Sequence, residues 1–287
     1  MSRDPLNALR LGDREFRKLA EYIEATYGIR MPETKRVMLE SRLHKRLRML
    51  EMTDFREYLE YVFENRGGEN ELVNMVDAVT TNKTEFFREP DHFDWLASNL
   101  GRLYEEYGWG RRDNPLKIWS CAASTGEEPY TLAIVMEEFR RIQPHFEYTI
   151  LASDLSSGVL EQARKAVYPE ARIEPVSPQL RSRYFLRSKD RSLALVRVKR
   201  DLRRRIRFVR LNLMDDDYGL RERFHVLFCR NVIIYFERPR QMQLLGKLVR
   251  YIESEGYLFL GHSETLAGAT LPMYSVAPTI YQRSEHA

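Results

Sequence analysis

The stretch Ile118-Trp-Ser-Cys-Ala-Ala-Ser-Thr-Gly-Glu-Glu-Pro-Tyr130 decides how the chain is read. The apolar run from Leu116 to Trp119 has the make-up of a buried strand. Small residues from Cys121 to Ser124 lead to one glycine, Gly126. Apolar residues then recur at helical spacing: Leu132, Val135, Met136 and Phe139. Strand, small-residue turn and helix form the opening unit of an α/β sheet that binds nucleotides at the helix N-terminus. The three glycines of the dinucleotide fingerprint are missing, and Glu127 and Glu128 fall in the first helical turn. The helix dipole alone favours acids there. They would also repel a docked pyrophosphate, which argues against NAD or ATP.

A nucleoside that carries positive charge fits better, and S-adenosylmethionine has a sulfonium, an ammonium and no phosphate. The next strand agrees. Tyr148-Thr-Ile-Leu-Ala-Ser-Asp154 is apolar and ends in an acid, 28 residues after Gly126. In dinucleotide folds an acid ending the second strand accepts the ribose hydroxyls. The alternative for Asp154 is an N-cap for the following helix, a task that Ser156 can also perform.

At this point the sequence resembles a family. Trp119 to Tyr130, as quoted, is similar to the CheR chemotaxis receptor methyltransferases. So are Thr80-Thr-Asn-Lys-Thr-Glu-Phe-Phe-Arg-Glu89, Phe228-Cys-Arg-Asn-Val-Ile-Ile-Tyr-Phe236 and Leu260-Gly-His-Ser-Glu264, in family order along almost the whole chain. The resemblance implies a Rossmann-like class I methyltransferase sheet of the α/β class, with an N-terminal helical domain and a small inserted β-subdomain. It implies methyl transfer from S-adenosylmethionine, leaving S-adenosylhomocysteine, to glutamates on the cytoplasmic helical domain of methyl-accepting chemotaxis receptors. It also implies that Asn82 and Thr84 hydrogen-bond the cofactor and that Arg88 brings charge near its reacting end.

Hydrophobic residues make up 43% and charged residues 31% of the 287, the balance of a soluble globular protein. No apolar run approaches the ~20 residues of a membrane span. Met1-Ser-Arg-Asp-Pro-Leu6 lacks the apolar core of a signal peptide. The two cysteines, Cys121 and Cys229, read as small buried residues of a cytoplasmic protein, and no metal-ligand spacing involves them. The net charge of +4 is uneven. Lys35 to Arg48 holds six basic residues and one acid, and Lys199 to Arg210 holds seven and one. Such clusters suit nucleic acid, an anionic membrane or an acidic protein partner.

Residues 1–80 read as a helical domain and 81–287 as the methyltransferase domain, with the β-subdomain at about 172–205. Helical stripes run over 13–27, from Leu39 to Leu50, over 55–63 and over 71–79, with a turn at Arg66-Gly67-Gly68. After a helix at 156–167, strands at Arg183–Arg187 and Leu193–Val198 suggest a hairpin set into the main sheet's connection. Ile206 to Leu211 resumes the sheet, and Asn212 and Leu213 end it where such sheets bind cofactors. Phe224 to Cys229 is the fourth strand, with His225 expected to be exposed near its start. Arg230 and Asn231 follow over the same crevice. A helix over 239–252, a strand over 257–261 and a closing hairpin complete the domain.

Methyl transfer to a carboxylate needs neither base nor metal, because a model glutamate is ionised above about 4.3. The six histidines show no ligand spacing. The site must align the reactants and strip water from the acceptor. Arg88 and Tyr235 are the candidate catalytic donors to that anion; Tyr235 could equally be an aromatic packed under the next helix. His262-Ser-Glu264 is expected to hold the site's shape.

On a helical wheel the four leucines of 39–50 share one face, and Arg42, Lys45 and Arg48 form a flanking row, stepping ~60° each. That row is the expected docking surface for the acidic receptor helix. A receptor C-terminal peptide at the β-subdomain is a further candidate partner, and the chain is expected to act as a monomer. Two other classes are weighed against this reading: a methyltransferase acting on nucleic acid, and a degenerate domain that senses the cofactor without turnover. Aromatic residues are not interleaved with the basic clusters, which disfavours nucleic acid.

Overall fold

A helical part followed by an α/β part sets the frame of the molecule, whose computed structural model describes residues 9–64 and 68–284. The expected turn at Arg66 and Gly67 and the Met1–Leu6 stretch lie outside the described residues. The first part is helical: α1 (Asp13–Tyr27), α2 (Arg36–Met49), α3 (Phe55–Phe63) and α4 (Gly68–Val79). Their apolar stripes meet in one cluster built from Leu19, Ile23, Leu39, Leu43, Leu47, Tyr58, Val62 and Met75, all buried. Leu50, expected in the stripe, is only partly buried beside it.

The second part runs α5 (Asp91–Glu106), β1 (Leu116–Cys121), α6 (Glu127–Ile142), β2 (Tyr148–Asp154), α7 (Ser157–Lys165), β3 (Val167–Pro169), α8 (Pro178–Tyr184), β4 (Phe185–Arg187), β5 (Leu195–Val198), α9 (Arg200–Arg203), β6 (Ile206–Arg210), β7 (Phe224–Cys229), α10 (Arg238–Arg250), β8 (Ile252–Leu260), β9 (Met273–Ala277) and β10 (Ile280–Arg283). The main sheet has the order β6-β2-β1-β7-β8-β10-β9. Its first five strands are parallel, and β10 and β9 close it as an antiparallel hairpin. Along β1 the side chains alternate between faces. Ile118 joins the core with Phe93, Leu132 and Val226, whereas Trp119 joins Leu227, Leu244 and Leu258 on the other side. Strand order reverses between β1 and β7, so the crevice above their C-terminal ends is where a sheet of this kind receives its ligand.

The inserted subdomain begins earlier than the sequence suggested. It is a three-stranded antiparallel sheet of order β3-β5-β4. α7 stops at Lys165 because Ala166 turns left-handed at φ 55°, and β3 follows at once. A three-residue strand is too short to show a period of two, and a helix over 156–167 absorbed it in the sequence reading. Arg183 and Tyr184 belong to α8, capped by Ser177, rather than to a strand. His225 is also a correction: it is 4% exposed and its Nδ1 accepts the Lys117 N–H at 2.9 Å. Trp109 packs over its ring, covering the strand start.

The helical part is fastened to the sheet at several points. The Arg30 N–H donates to the Tyr235 carbonyl at 2.9 Å, and the Asn212 amide donates to the Thr26 carbonyl at 2.9 Å. Asp77 on α4 accepts the N–H groups of Ser157 and Gly158, at 3.1 and 2.8 Å, which are otherwise unpaired at the start of α7. Gly28 ends α1 at φ 72°, and a Cβ there would lie 2.6 Å from the Met214 sulfur. Glycine therefore permits both the turn and the close approach of the two parts.

Candidate functional site

Above the ends of β1, β2 and β7 lies a cavity of about 230 Å³, walled on its far side by residues 27–38 and 79–85 of the helical part and its linker. The turn after β1 forms the floor. Ala122, Ser124 and Gly126 all take left-handed backbone angles, at φ 54°, 49° and 98°. That backbone explains the run of small residues. At Gly126 a Cβ would come within 2.9 Å of Ala163 and 3.0 Å of the Tyr168 hydroxyl, so only glycine fits.

Asp154 lines this cavity at the end of β2. Its carboxylate accepts the Ser124 N–H at 2.8 Å and the Ser156 N–H at 2.9 Å. Burial pushes its pKa up, and these two hydrogen bonds only partly offset that. The N-cap of α7 is Ser156, whose hydroxyl accepts from Val159, so capping does not explain Asp154.

The two acids of α6 part company. Glu128 lines the cavity, accepting the Ser120 hydroxyl at 2.7 Å and the Arg230 guanidinium at 3.2 Å. Glu127 does not reach it. One residue along a helix is a rotation of about 100°, and this turns Glu127 towards the β-subdomain. There it is 1% exposed, accepts the Thr125 hydroxyl and lies 3.9 Å from Arg172. Glu127, expected to face the cofactor, is thus turned away from the cavity lining by helix geometry.

Asn82, Thr84, Arg88, Asn212, Leu213, Arg230, Asn231 and Tyr235 all line the cavity. Several are already engaged. Asn82 donates to the Thr80 hydroxyl, and Arg88 donates to the Lys83 carbonyl at 3.0 Å. The Asn212 amide is spent on Thr26, Asp215 and Met214. Arg230 is 6% exposed, lies over the Phe93 and Phe228 rings, and donates to Glu89, Glu128 and the Arg88 carbonyl. It is a strut between the wall and the floor. The Tyr235 phenol makes no hydrogen bond among the described residues, and its ring lies 5.7 Å from the Lys35 ammonium.

Two residues that the sequence reading did not assign, Lys35 and Glu89, complete the site together with Glu264. Lys35 lines the cavity from the turn just before α2; burial and the nearby Arg42 and Arg30 charges lower its pKa. Glu89 receives Arg230 at 2.9 Å and the Asn231 amide at 3.0 Å. Burial alone would raise its pKa; the Asn231 and Arg230 hydrogen bonds outweigh burial and bring it to about 2. Glu264, in the segment expected to hold the site's shape, accepts the N–H groups of Gly261, Asn231, Val232, Ile233 and Ile234. That clamp fixes the turn that carries Tyr235. The signals were present in the sequence, a lysine opening the first basic cluster and acids inside two matched segments, but their partners are more than 130 residues away for Glu89 and about 30 for Glu264.

The expected docking row on α2 is broken. Lys45 and Arg48 are exposed, but Arg42 turns inward. Its guanidinium donates to the carbonyls of Val79 at 2.5 Å and Thr80 at 2.8 Å and to the Thr81 hydroxyl at 3.1 Å. The end of α4 leaves those carbonyls without helical partners, and a nearby arginine satisfies them.

Comparison with known proteins gives this arrangement its context. Residues 14–80 match the family model for the CheR methyltransferase all-alpha domain, and residues 82–281 match that for the CheR methyltransferase SAM binding domain. Chemotaxis protein methyltransferase 2 of Pseudomonas aeruginosa is 39% identical over 93% of this chain and 92% of its own length. The chemotaxis protein methyltransferase of Escherichia coli K12 is 36% identical over 96% and 93%. Among solved structures, the DszA carbon methyltransferase aligns at a TM-score of 0.37 with 20% identity, over 86% of this chain and 50% of that one. The helical part, the sheet with its inserted subdomain and the cavity between them are accordingly those of an S-adenosylmethionine-dependent chemotaxis methyltransferase, and the chain belongs to the CheR family.

Proposed function

We propose that the chain methylates glutamate side chains on the cytoplasmic helical domain of chemoreceptors, acting as a monomer recruited from the cytoplasm to these membrane proteins. The observation that carries this reading is the mixed lining of the cavity. Asp154 at the end of β2, Glu128 on α6 and Tyr235 after β7 line it from the sheet part, and Lys35 and Arg88 line it from the helical part and its linker. The acids suit a cationic nucleoside, and the absence of a glycine-rich phosphate cradle from the β1 turn fits the same ligand. Asp154 would hold the ribose hydroxyls. Asn82, Thr84, Asn212, Leu213 and Asn231 would shape the pocket around the rest, with Glu128 and Arg88 setting the charge near the sulfonium. S-adenosylmethionine supplies a methyl group on sulfur; the acceptor oxygen bonds to that carbon as the carbon–sulfur bond breaks, and no proton moves.

The protein's own task is to place an anion and keep water from it. The Tyr235 hydroxyl donates to the acceptor carboxylate, and Lys35 and Arg88 attract it. The row that guides the receptor helix is redrawn without Arg42. It retains Lys45 and Arg48 on α2 and leads to Lys35 at the mouth. A receptor C-terminal peptide would add to the β-subdomain, where β3 and β4 are both edge strands and Val167 and Leu186 flank Arg197 on an exposed face.

The test is transfer of a tritiated methyl group from S-adenosylmethionine to membranes that carry chemoreceptors. Label that is released by base, and is lost when the receptor's methyl-accepting glutamates are replaced, is the expected result. Label on RNA, or cofactor binding with no transfer, would overturn the reading.

A further inference from the structure

Behind the cavity wall three potential metal ligands converge: Glu89 and His92, three residues apart at the start of α5, and His262, from a distant segment after β8. One ligand atom from each lies within 4.8 Å of the others. No step of methyl transfer uses them; the i,i+3 spacing of Glu89 and His92 puts two of them on one turn, and only the fold adds His262.

The hydrogen bonds around His92 accommodate the tautomer that a metal ligand needs. The Thr279 hydroxyl donates to the Pro278 carbonyl at 2.7 Å. With its proton there, the hydroxyl oxygen accepts at its 2.8 Å contact with His92 Nε2, and Nε2 carries the hydrogen. Nδ1 is then a bare lone pair. It is buried on a side chain 1% exposed, has no hydrogen-bond partner, and lies 3.8 Å from Glu89 Oε2. Two acceptors that face each other call for a cationic or donating group between them. A histidine that donates one ring N–H outward and aims the other nitrogen at a carboxylate is also the arrangement of metal-ligating imidazoles.

The carboxylate is oriented in the same manner. Glu89 is held by Arg230 and by the Asn231 amide, as ligating carboxylates are held by their own partners. The positive charge of Arg230 is shared with Glu128 on its other side, so it is not left facing a cation alone. His262 is exposed, which gives an ion a way in and leaves its ring free to swing. Bond lengths of about 2 Å would draw the three atoms to roughly 3 Å apart, a small closure for a surface side chain.

We propose that Glu89, His92 and His262 bind a borderline divalent transition metal of the Zn²⁺ type, with water completing the shell. Two imidazoles and one carboxylate suit Zn²⁺ over Mg²⁺ or Ca²⁺, which prefer oxygen. The ion is inhibitory. It takes Glu89 Oε2 in competition with Arg230 and loosens the strut between the cavity wall and Glu128.

Calorimetric titration of the metal-free, untagged chain with Zn²⁺ tests the binding. The expected result is one ion per chain, lost in His262→Ala. Thr279→Ala keeps all three ligands but removes the group that orients His92, and should weaken binding by about tenfold or more. No Zn²⁺ binding by the wild type, or equal binding by all three proteins, would overturn the site. Zn²⁺ should also lower methyl transfer by the wild type and not by His262→Ala. Binding that depends on these residues with wild-type turnover unchanged would overturn the inhibitory role.

Discussion

Burial and hydrogen bonding pull on Asp154 in opposite directions, and burial prevails. A carboxylate kept in that position at a cost, with two backbone donors aligning it, is suited to hold a ligand. Asp154→Ala should weaken S-adenosylmethionine binding by about 1.5–3 kcal/mol, the range for hydrogen bonds to a charged group. Calorimetry showing unchanged affinity in a folded variant would remove Asp154 from the site. Tyr235 makes the opposite prediction. Its phenol makes no hydrogen bond among the described residues, so Tyr235→Phe should lower kcat and kcat/KM together while the cofactor Kd holds. Glu89 sets a pH window. Its folded pKa of about 2 lies below the ordinary 4.5, so it contributes stability above pH 4.5 that is lost as pH falls towards 2. Unfolding midpoints across that range should fall less steeply for Glu89→Gln than for the wild type.

At the scale of the element, the short turn Ile233–Tyr235 owes its shape to Glu264 more than to its own sequence. Glu264 Oε1 accepts from Val232, Ile233 and Ile234, and Oε2 accepts from Gly261 and Asn231. A glutamine is nearly the same size but turns one of those acceptors into a donor. Glu264→Gln would set that donor against backbone N–H groups, at about 1–3 kcal/mol for each buried group left unpaired. Thermal unfolding should show the loss, and turnover should fall more than cofactor affinity because the displaced turn carries Tyr235. Stability equal to wild type would show that the clamp is replaceable. The turn after β1 is different in kind. Its small residues follow from its own left-handed backbone, so it could be read locally.

At the scale of the molecule, the cavity exists because the helical part closes over the sheet. Lys35 and Tyr235 meet only through that closure, which Asp77, Asn212 and Arg30 hold. Receptor docking belongs to the same scale. Lys45 is exposed on α2 and makes no contact with the cavity. Lys45→Glu should raise the receptor KM, most strongly at low ionic strength, and leave the cofactor Kd unchanged. Steady-state assays over a salt series check this; normal receptor KM at low salt would make the helix face a solvated surface only.

The sequence by itself determined the parallel sheet, the helical domain before it and the position of Asp154, because periodicity and strand-end placement are local properties of a chain. The matched segments also determined the family. Only the tertiary structure decided which of two adjacent acids meets the cavity, since Glu127 and Glu128 differ by a single helical step whose direction depends on what packs beside it. It decided that Arg42 serves the end of α4 instead of a partner, because orphaned carbonyls 37 residues away are invisible to a helical wheel. It also brought His262 to Glu89 and His92, and His225 under Trp109. Such contacts depend on how distant elements pack, and no spacing along the chain records them.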